Sequence, residues 1–249
     1  MNDWIVPDWP APANVRALFT TRNGGIGSGP YASFNLGDHV GDDPGTVRHH
    51  RAQLRRMLPG EPAWLRQAHG TTAVDIDSRD PAAPCDGDAA FSRRAGGVCG
   101  VLVADCLPIL LCSHAGTLVG AIHAGWRGLA GGIVEQTISD MRRADPSGAP
   151  IMAWLGPAIG PARFEVGEDV HLAFAAGDGR SASAFRSHPT EGGKWLADIF
   201  LLARQRLARA GVTAIHGGGV CTFDNPDAFF SHRRDGRTGR MAALIWLER

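Results

Sequence analysis

Between Val98 and Cys112 the chain reads VCGVLVADCLPILLC, an almost unbroken run of β-branched and aliphatic residues. Apolar and polar positions do not alternate along it, so it predicts strand buried on both faces rather than strand with one wet side. A chain containing such a run must supply a covering layer for each face. Asp105 and Cys106 interrupt the run near its middle. With Asp105 and Pro108 inside it, the run is too short and too polar to span a bilayer.

The flanking sequence supplies candidate layers. Val15–Arg22 reads as a short strand followed by the Asn23-Gly24-Gly25 turn, and Pro44-Gly45-Thr46 starts a helix through Val47, Leu54 and Leu58 that stops at Pro59-Gly60. Thr117–Ile122 predicts a second buried strand ended by His123, with one helix after it whose apolar residues Leu129, Ile133, Val134, Ile138 and Met141 recur at helical spacing to about Arg143. A strand over Ile151–Leu155 precedes two chain breaks, Gly156-Pro157 and Gly160-Pro161. Helices are expected over Gly167–Ala176 and Trp195–Ala210, the latter closed by Gly211, and strands over Ala214–Val220 and Met241–Leu247. Strands and helices follow one another without a regular βαβ repeat, which predicts a mixed α and β class.

No repeat or linker divides the 249 residues, so residues 1–249 read as one domain, with residues 1–14 as an N-terminal extension. Twenty-five basic residues balance twenty-five acidic ones, and no net field would draw the chain to nucleic acid or an anionic membrane. A small-molecule substrate is expected. The first residues lack the basic-then-apolar pattern of a secretory signal, and five cysteines without a Cys-x-x-Cys pair argue against a disulfide framework. These features predict a cytoplasmic protein, and the absence of a coiled-coil seam predicts a monomer. Lys194 is the sole lysine, which sets Schiff-base chemistry aside.

Three residues stand where buried strand meets glycine-rich or broken sequence: His69 in Gln67-Ala68-His69-Gly70, Cys106 after Asp105, and His123 before Ala124-Gly125-Trp126-Arg127-Gly128. Two imidazoles and a thiolate suit zinc, and three protein ligands leave a fourth position for water, the pattern of a catalytic site. The same atoms admit two other readings: core histidines beside an inert buried thiol, or Cys106 as nucleophile with His123 as its base. Arg22, Arg127, Arg233, Arg234 and Arg240 lie in glycine-containing or polar loops where a guanidinium can grip phosphate or carboxylate. Phe229-Phe230-Ser231-His232-Arg233-Arg234-Asp235-Gly236 is a candidate wall for a flat ring, or a strand edge running into a turn. Gly24-Gly25-Ile26-Gly27 and Gly217-Gly218-Gly219 match no nucleotide-binding pattern and read as tight turns.

Seven segments, Thr20–Gly25, Ser33–Gly37, Gln67–Gly70, Ala104–Pro108, His123–Gly128, Gly156–Pro161 and Thr238–Met241, together resemble the YfiH-type family, which is described variously as polyphenol oxidase (laccase domain), purine nucleoside phosphorylase and peptidoglycan editing factor. The resemblance runs from about Phe19 to the C-terminus. It implies an α+β single domain with mixed β-sheets packed between outer helices in α/β/β/α-like layers. It also implies that His69, Cys106 and His123 ligate zinc, with copper the less favoured ion.

The implied activities are phosphorolysis of adenosine, inosine and methylthioadenosine with adenosine deamination, or hydrolysis of the cell-wall precursor UDP-MurNAc-L-Ser by zinc-hydroxide or by Cys106. The expected partners are therefore a nucleoside and phosphate. Multicopper oxidation fits least, because it needs closely spaced His-x-His pairs and none occurs. Deamination follows from zinc chemistry, since water on the ion is acidified to a pKa near ~7. Catalysis is expected to use His69, Cys106 and His123 with Asp105 and Arg127. Asp105 either serves the leaving ammonia or orients a zinc ligand. Arg22, Asn35, Glu165 and Arg233 are the expected substrate-binding residues.

Overall fold

The computed structural model of the chain describes residues 3–80, 83, 85–175 and 179–248. The long apolar run divides into two strands, Val98–Val103 and Leu107–Ser113, that belong to different sheets. Ala104, Asp105 and Cys106 form the bend that carries the chain between them. The first sheet has four strands in the order Val15–Phe19, Met241–Leu247, Val98–Val103, Pro62–Ala63. The second has six, ordered Ala214–Gly217, Ile151–Leu155, Leu107–Ser113, Val119–Ala124, Ala89–Ser92, Ala73–Asp75. Both mix antiparallel pairs with parallel ones, a parallel pair at one edge of the first sheet and at each edge of the second.

The two-residue period of a strand explains why the run is continuously apolar. Cys99, Val101 and Val103 point between the sheets together with Leu110, Cys112, Ala243 and Ile245. Val98 and Leu102 point outward onto a layer that includes Leu54 of the Pro44–Arg55 helix. On the other side, Leu107, Ile109 and Leu111 meet Ile133, Val134, Ile138 and Met141 of the Ile133–Ala144 helix, and Leu202 and Leu207 of the Ile199–Arg209 helix. The layers are therefore α/β/β/α, as the resemblance implies. Each fully buried aliphatic side chain contributes about 1.5–3 kcal/mol, so both strands are held from two directions.

Helix starts follow their capping residues. Asp43 accepts from Thr46 N at 2.7 Å with Pro44 at the first position, and Asp198 accepts from Leu201 N at 2.9 Å. No helix among the described residues is long and apolar enough to cross a membrane.

The structure departs from the sequence reading at several boundaries. The first strand ends at Phe19, so Thr20, Thr21 and Arg22 lie beyond it. His123 lies inside the Val119–Ala124 strand, one residue from its end. The single helix expected to carry Leu129 through Met141 to about Arg143 is two, Trp126–Gly131 and Ile133–Ala144, because Gly132 adopts φ 98 and breaks it. The helix expected from Trp195 begins only at Ile199. Lys194–Ala197 is instead the central strand of a three-stranded sheet between Phe185–Ser187 and Glu165–Gly167. The expected strand to Val220 stops at Gly217, where three consecutive glycines take positive φ. The helix after Gly167 is Glu168–Ala175, and the expected end at Ala176 lies outside the described residues. In the N-terminal extension, Ile5 bridges to Phe19 and Trp4 packs on Phe34, while Met1 and Asn2 lie outside the described residues.

Candidate metal centre

The bend at Ala104–Cys106 carries Cys106 to the rim of the sandwich, and the neighbouring Val119–Ala124 strand carries His123 beside it through the Pro108–His123 pairing. His69 comes from a loop that two side chains hold in place. Gln67 clamps the Val98–Val103 strand like a ladder rung, its Nε2 donating to Leu102 O at 2.9 Å and its Oε1 accepting from Leu102 N at 2.7 Å. Asp88 accepts from the amides of Ala68, His69 and Gly70 at 3.2, 2.9 and 2.7 Å. Among the described residues, His69 (φ 59) and Asp105 (φ 84) are the two non-glycine residues with positive φ, and both are in this region. Strain of that kind persists where surrounding contacts over-determine the backbone, and here the contacts are those of Asp88 and of the Asp105 carboxylate.

The ligand atoms of His69, Cys106 and His123 all lie within 4.8 Å of one another, with Cys106 Sγ 3.8 Å from His69 Nε2. A tetrahedral ion with nitrogen and sulfur ligands at ordinary bond lengths separates a nitrogen from a sulfur by about 3.6 Å, so the spacing fits one shared metal. His123 Nδ1 is 2.9 Å from Asp88 Oδ1, which leaves Nε2 for an ion. His123 is buried, Cys106 half-buried and His69 exposed, which gives the group one open face. Gly125 permits the approach: a Cβ there would stand 2.7 Å from His69 Cδ2 and 3.2 Å from Cys106 Sγ.

The electrostatics favour a thiolate. Burial pushes the Cys106 thiol up, but the charge and hydrogen bond of His123, with His69, bring it down to about 6. Burial likewise pulls His123 down, and the Cys106 thiolate and Asp88 raise it to about 9. Asp88 is raised by burial, yet His123 and the Gly70 and Ala68 amides hold it below the ordinary carboxylate range. An ion taken up here would displace the protons that this pair otherwise shares. A second set of ligand-type groups, Glu165, His188 and Glu191, already holds a cation: Lys194 Nζ lies 2.7 Å from Glu165 and 2.5 Å from Glu191.

Two chambers open on either side of Cys106. One is walled by Trp126, Ile159, Phe164 and Ile199 with Arg233 beside them. The other holds His39, His69, His123, Arg127 and Arg240. Ala104, Cys106 and His232 line both.

Not every residue expected at the site reaches it. Arg22 gives Nε to Ala32 O and Nη1 to Pro226 O and stacks over Phe230, and it lines neither chamber. Asn35 is buried and spends its amide on Gly37, Asp42 and the Arg240 N–H. Glu165 points to Lys194 and His188 rather than into a chamber. Asp105 does line the apolar chamber, but its carboxylate accepts from Thr222 Oγ1, Ser231 Oγ and Arg233 N at 2.6, 3.0 and 2.6 Å and contacts no site histidine. The carboxylate behind a site histidine is Asp88, which the sequence reading passed over. Its one local signal is an acid immediately ahead of the Ala89–Ser92 strand. Phe229 and Phe230, expected to wall a pocket, are buried between the sheets; Trp126 and Phe164 supply the aromatic surface instead.

The sequence matches the family model described as multi-copper polyphenol oxidoreductase laccase over residues 16–248. It is 49% identical over 248 residues to purine nucleoside phosphorylase PA4543 of Pseudomonas aeruginosa, covering all of both chains. To purine nucleoside phosphorylase YfiH of Escherichia coli strain K12 it is 50% identical over 249 residues, 99% of this chain and 100% of the relative. Among solved structures, protein NMB0706 of Neisseria meningitidis superposes with a TM-score of 0.91 at 47% identity, covering 99% of this chain and 100% of that one. YlmD of Geobacillus stearothermophilus does so with a TM-score of 0.85 at 34% identity, covering 96% and 94%.

Proposed function

The chain belongs to the YfiH-type laccase-domain family, and from that premise we propose that it is a zinc-dependent purine nucleoside phosphorylase acting on adenosine, inosine and methylthioadenosine, with adenosine deaminase activity. The observation that carries the reading is the pair of chambers meeting at Cys106, one walled mainly by apolar side chains and the other carrying guanidiniums and imidazoles. A purine nucleoside has the same division, a flat apolar base joined to a polar sugar.

Trp126 and Phe164 supply aromatic surface to the base, and Ile159 and Ile199 exclude water from it. His69, Cys106 and His123 would hold the ion, with Asp88 fixing the tautomer of His123 so that its free nitrogen faces the site. When bound, zinc supplies Lewis acidity and acidifies water, the chemistry that deamination at C6 of adenine requires. Gln67 and Asp88 keep the His69 loop from moving as substrate arrives. Their cost in flexibility is offset by a preset geometry.

The Cys106–His123 pairing favours one rival, a hydrolase of UDP-MurNAc-L-Ser in which the thiolate attacks directly. Incubating the purified protein with adenosine, with and without phosphate, and chromatographing the products separates the readings. Phosphate-dependent adenine release is expected, with phosphate-independent inosine beside it. No change in adenosine together with serine release from the muramyl precursor would replace this function with the rival.

A further inference from the structure

The chamber on the His69 side carries a charge imbalance. Its lining includes two guanidiniums, Arg127 and Arg240, and the imidazoles of His39, His69, His123 and His232, against the single Cys106 thiolate and no carboxylate. The acids close by are already committed. Asp38 pairs with Arg51 at 3.1 Å and lies 3.5 Å from His39, Asp88 sits behind His123, and Asp105 has three donors of its own.

Both guanidiniums retain free donors. Arg240 commits only Nη1, to Thr238 O and Gly239 O, each at 3.0 Å, and among the described residues its Nε and Nη2 make no hydrogen bond. Arg127 stacks over Trp126 at 4.3 Å and makes no hydrogen bond among the described residues. Arg240 is also held in register, since its N–H donates to Asn35 Oδ1 at 2.8 Å. Asn35, expected to touch substrate, is therefore a positioning residue for Arg240.

Uncompensated positive charge in a concave site focuses potential on anions, and a guanidinium fork matches the oxygens of phosphate. We propose that this chamber is an inorganic-phosphate subsite, with Arg240 and Arg127 gripping the phosphate on the side of Cys106 opposite the base. The proposal rests on the phosphorylase reading and gives it its second substrate. In the reaction it implies, a phosphate oxygen bonds to ribose C1′ as the C1′–N9 bond breaks. The bonding pair leaves with the purine, and the proton of hydrogen phosphate passes to the base nitrogen. The products are the free base and ribose 1-phosphate. Arg127 lines this chamber and stacks on Trp126, which lines the other, so the two walls meet where the sugar of a nucleoside would lie.

The test compares full-length metal-loaded protein with Arg240→Gln, Arg240→Lys and Arg127→Gln. Binding of inorganic phosphate and, separately, of adenosine 5′-monophosphate is titrated by calorimetry, and KM is measured for phosphate and for inosine. Loss of a charge-assisted contact predicts that Arg240→Gln weakens phosphate, in binding and in KM, roughly 10- to 100-fold. The KM for inosine should move far less, and Arg240→Lys should recover part of the loss. Arg127→Gln, which removes no hydrogen bond from the fold, should shift phosphate in the same direction. Phosphate affinity unchanged in both glutamine variants, or no phosphate binding by the parent, overturns the proposal. Loss of monophosphate binding without loss of inorganic phosphate also overturns it, in favour of a nucleotide's phosphate. Phosphate bound through these arginines with no base released would leave the subsite standing and remove the phosphorylase reading. Phosphorolysis with an unaltered phosphate KM would do the reverse.

Discussion

Replacing Asp88 by asparagine isolates the contribution of a single oxygen atom and its charge. The carboxylate accepts four hydrogen bonds, from Ala68 N, His69 N, Gly70 N and His123 Nδ1, at 3.2, 2.9, 2.7 and 2.9 Å. An asparagine keeps one acceptor and points an NH₂ group at donors that need the other. At least one buried N–H then loses its partner, at a cost of about 1–3 kcal/mol. Against a typical total stability of about 5–15 kcal/mol, the variant should fold and be measurably weaker. Loss of the carboxylate behind a ligating imidazole costs about 10- to 100-fold in metal affinity. Zinc titrated into the metal-free protein against a chromophoric chelator reads the second effect, and urea unfolding reads the first. The pH dependence adds a sign. Asp88 is held below its ordinary value, so its stabilisation is complete above about pH 4 and lost as pH falls through the folded-state value. The stability gap between parent and Asp88→Asn should therefore narrow in acid. A zinc affinity within twofold of the parent would refute the claim that Asp88 sets the ligand geometry.

Other substitutions probe different contacts. Gly125→Ala places a methyl 2.7 Å from His69 and 3.2 Å from Cys106, and should lower zinc stoichiometry in elemental analysis with little change in far-ultraviolet circular dichroism. Gly128→Ala meets the backbone oxygen of Gly70 at 2.8 Å, which cannot swing aside, and should cost about 1–3 kcal/mol in urea unfolding. Trp126→Ala removes an aromatic wall of the apolar chamber and should raise the KM for inosine more than the KM for phosphate. Cys106→Ser should abolish tight zinc binding, read by the same chelator competition.

The fold was most legible where one physical constraint dominated. Val98–Cys112 could only be strand covered on both faces, and the alternation of Cys99, Val101 and Val103 inward with Val98 and Leu102 outward is that constraint made visible. Trp195–Ala197 has residues that a helix also tolerates, and pairing with Phe185–Ser187 on one side and Glu165–Gly167 on the other decided against helix. At the site, His69, Cys106 and His123 stood out as interruptions of apolar sequence, but their convergence depends on two sheets and a clamped loop. Asp88 was invisible for a sharper reason: its partners lie 18 to 35 residues away, so nothing local marks it. Arg22 and Arg240 occupy similar loops and each bonds two backbone carbonyls, and only the fold decides that Arg240 lines a chamber while Arg22 does not.

The account depends on one ion held by two imidazoles and one thiolate with an open coordination position. X-ray absorption at the metal edge of zinc-loaded protein measures that directly. It should show one sulfur and three nitrogen or oxygen neighbours, one of the three exchangeable, with the sulfur lost in Cys106→Ser. A shell with no sulfur, or one filled by four protein atoms, would contradict the account.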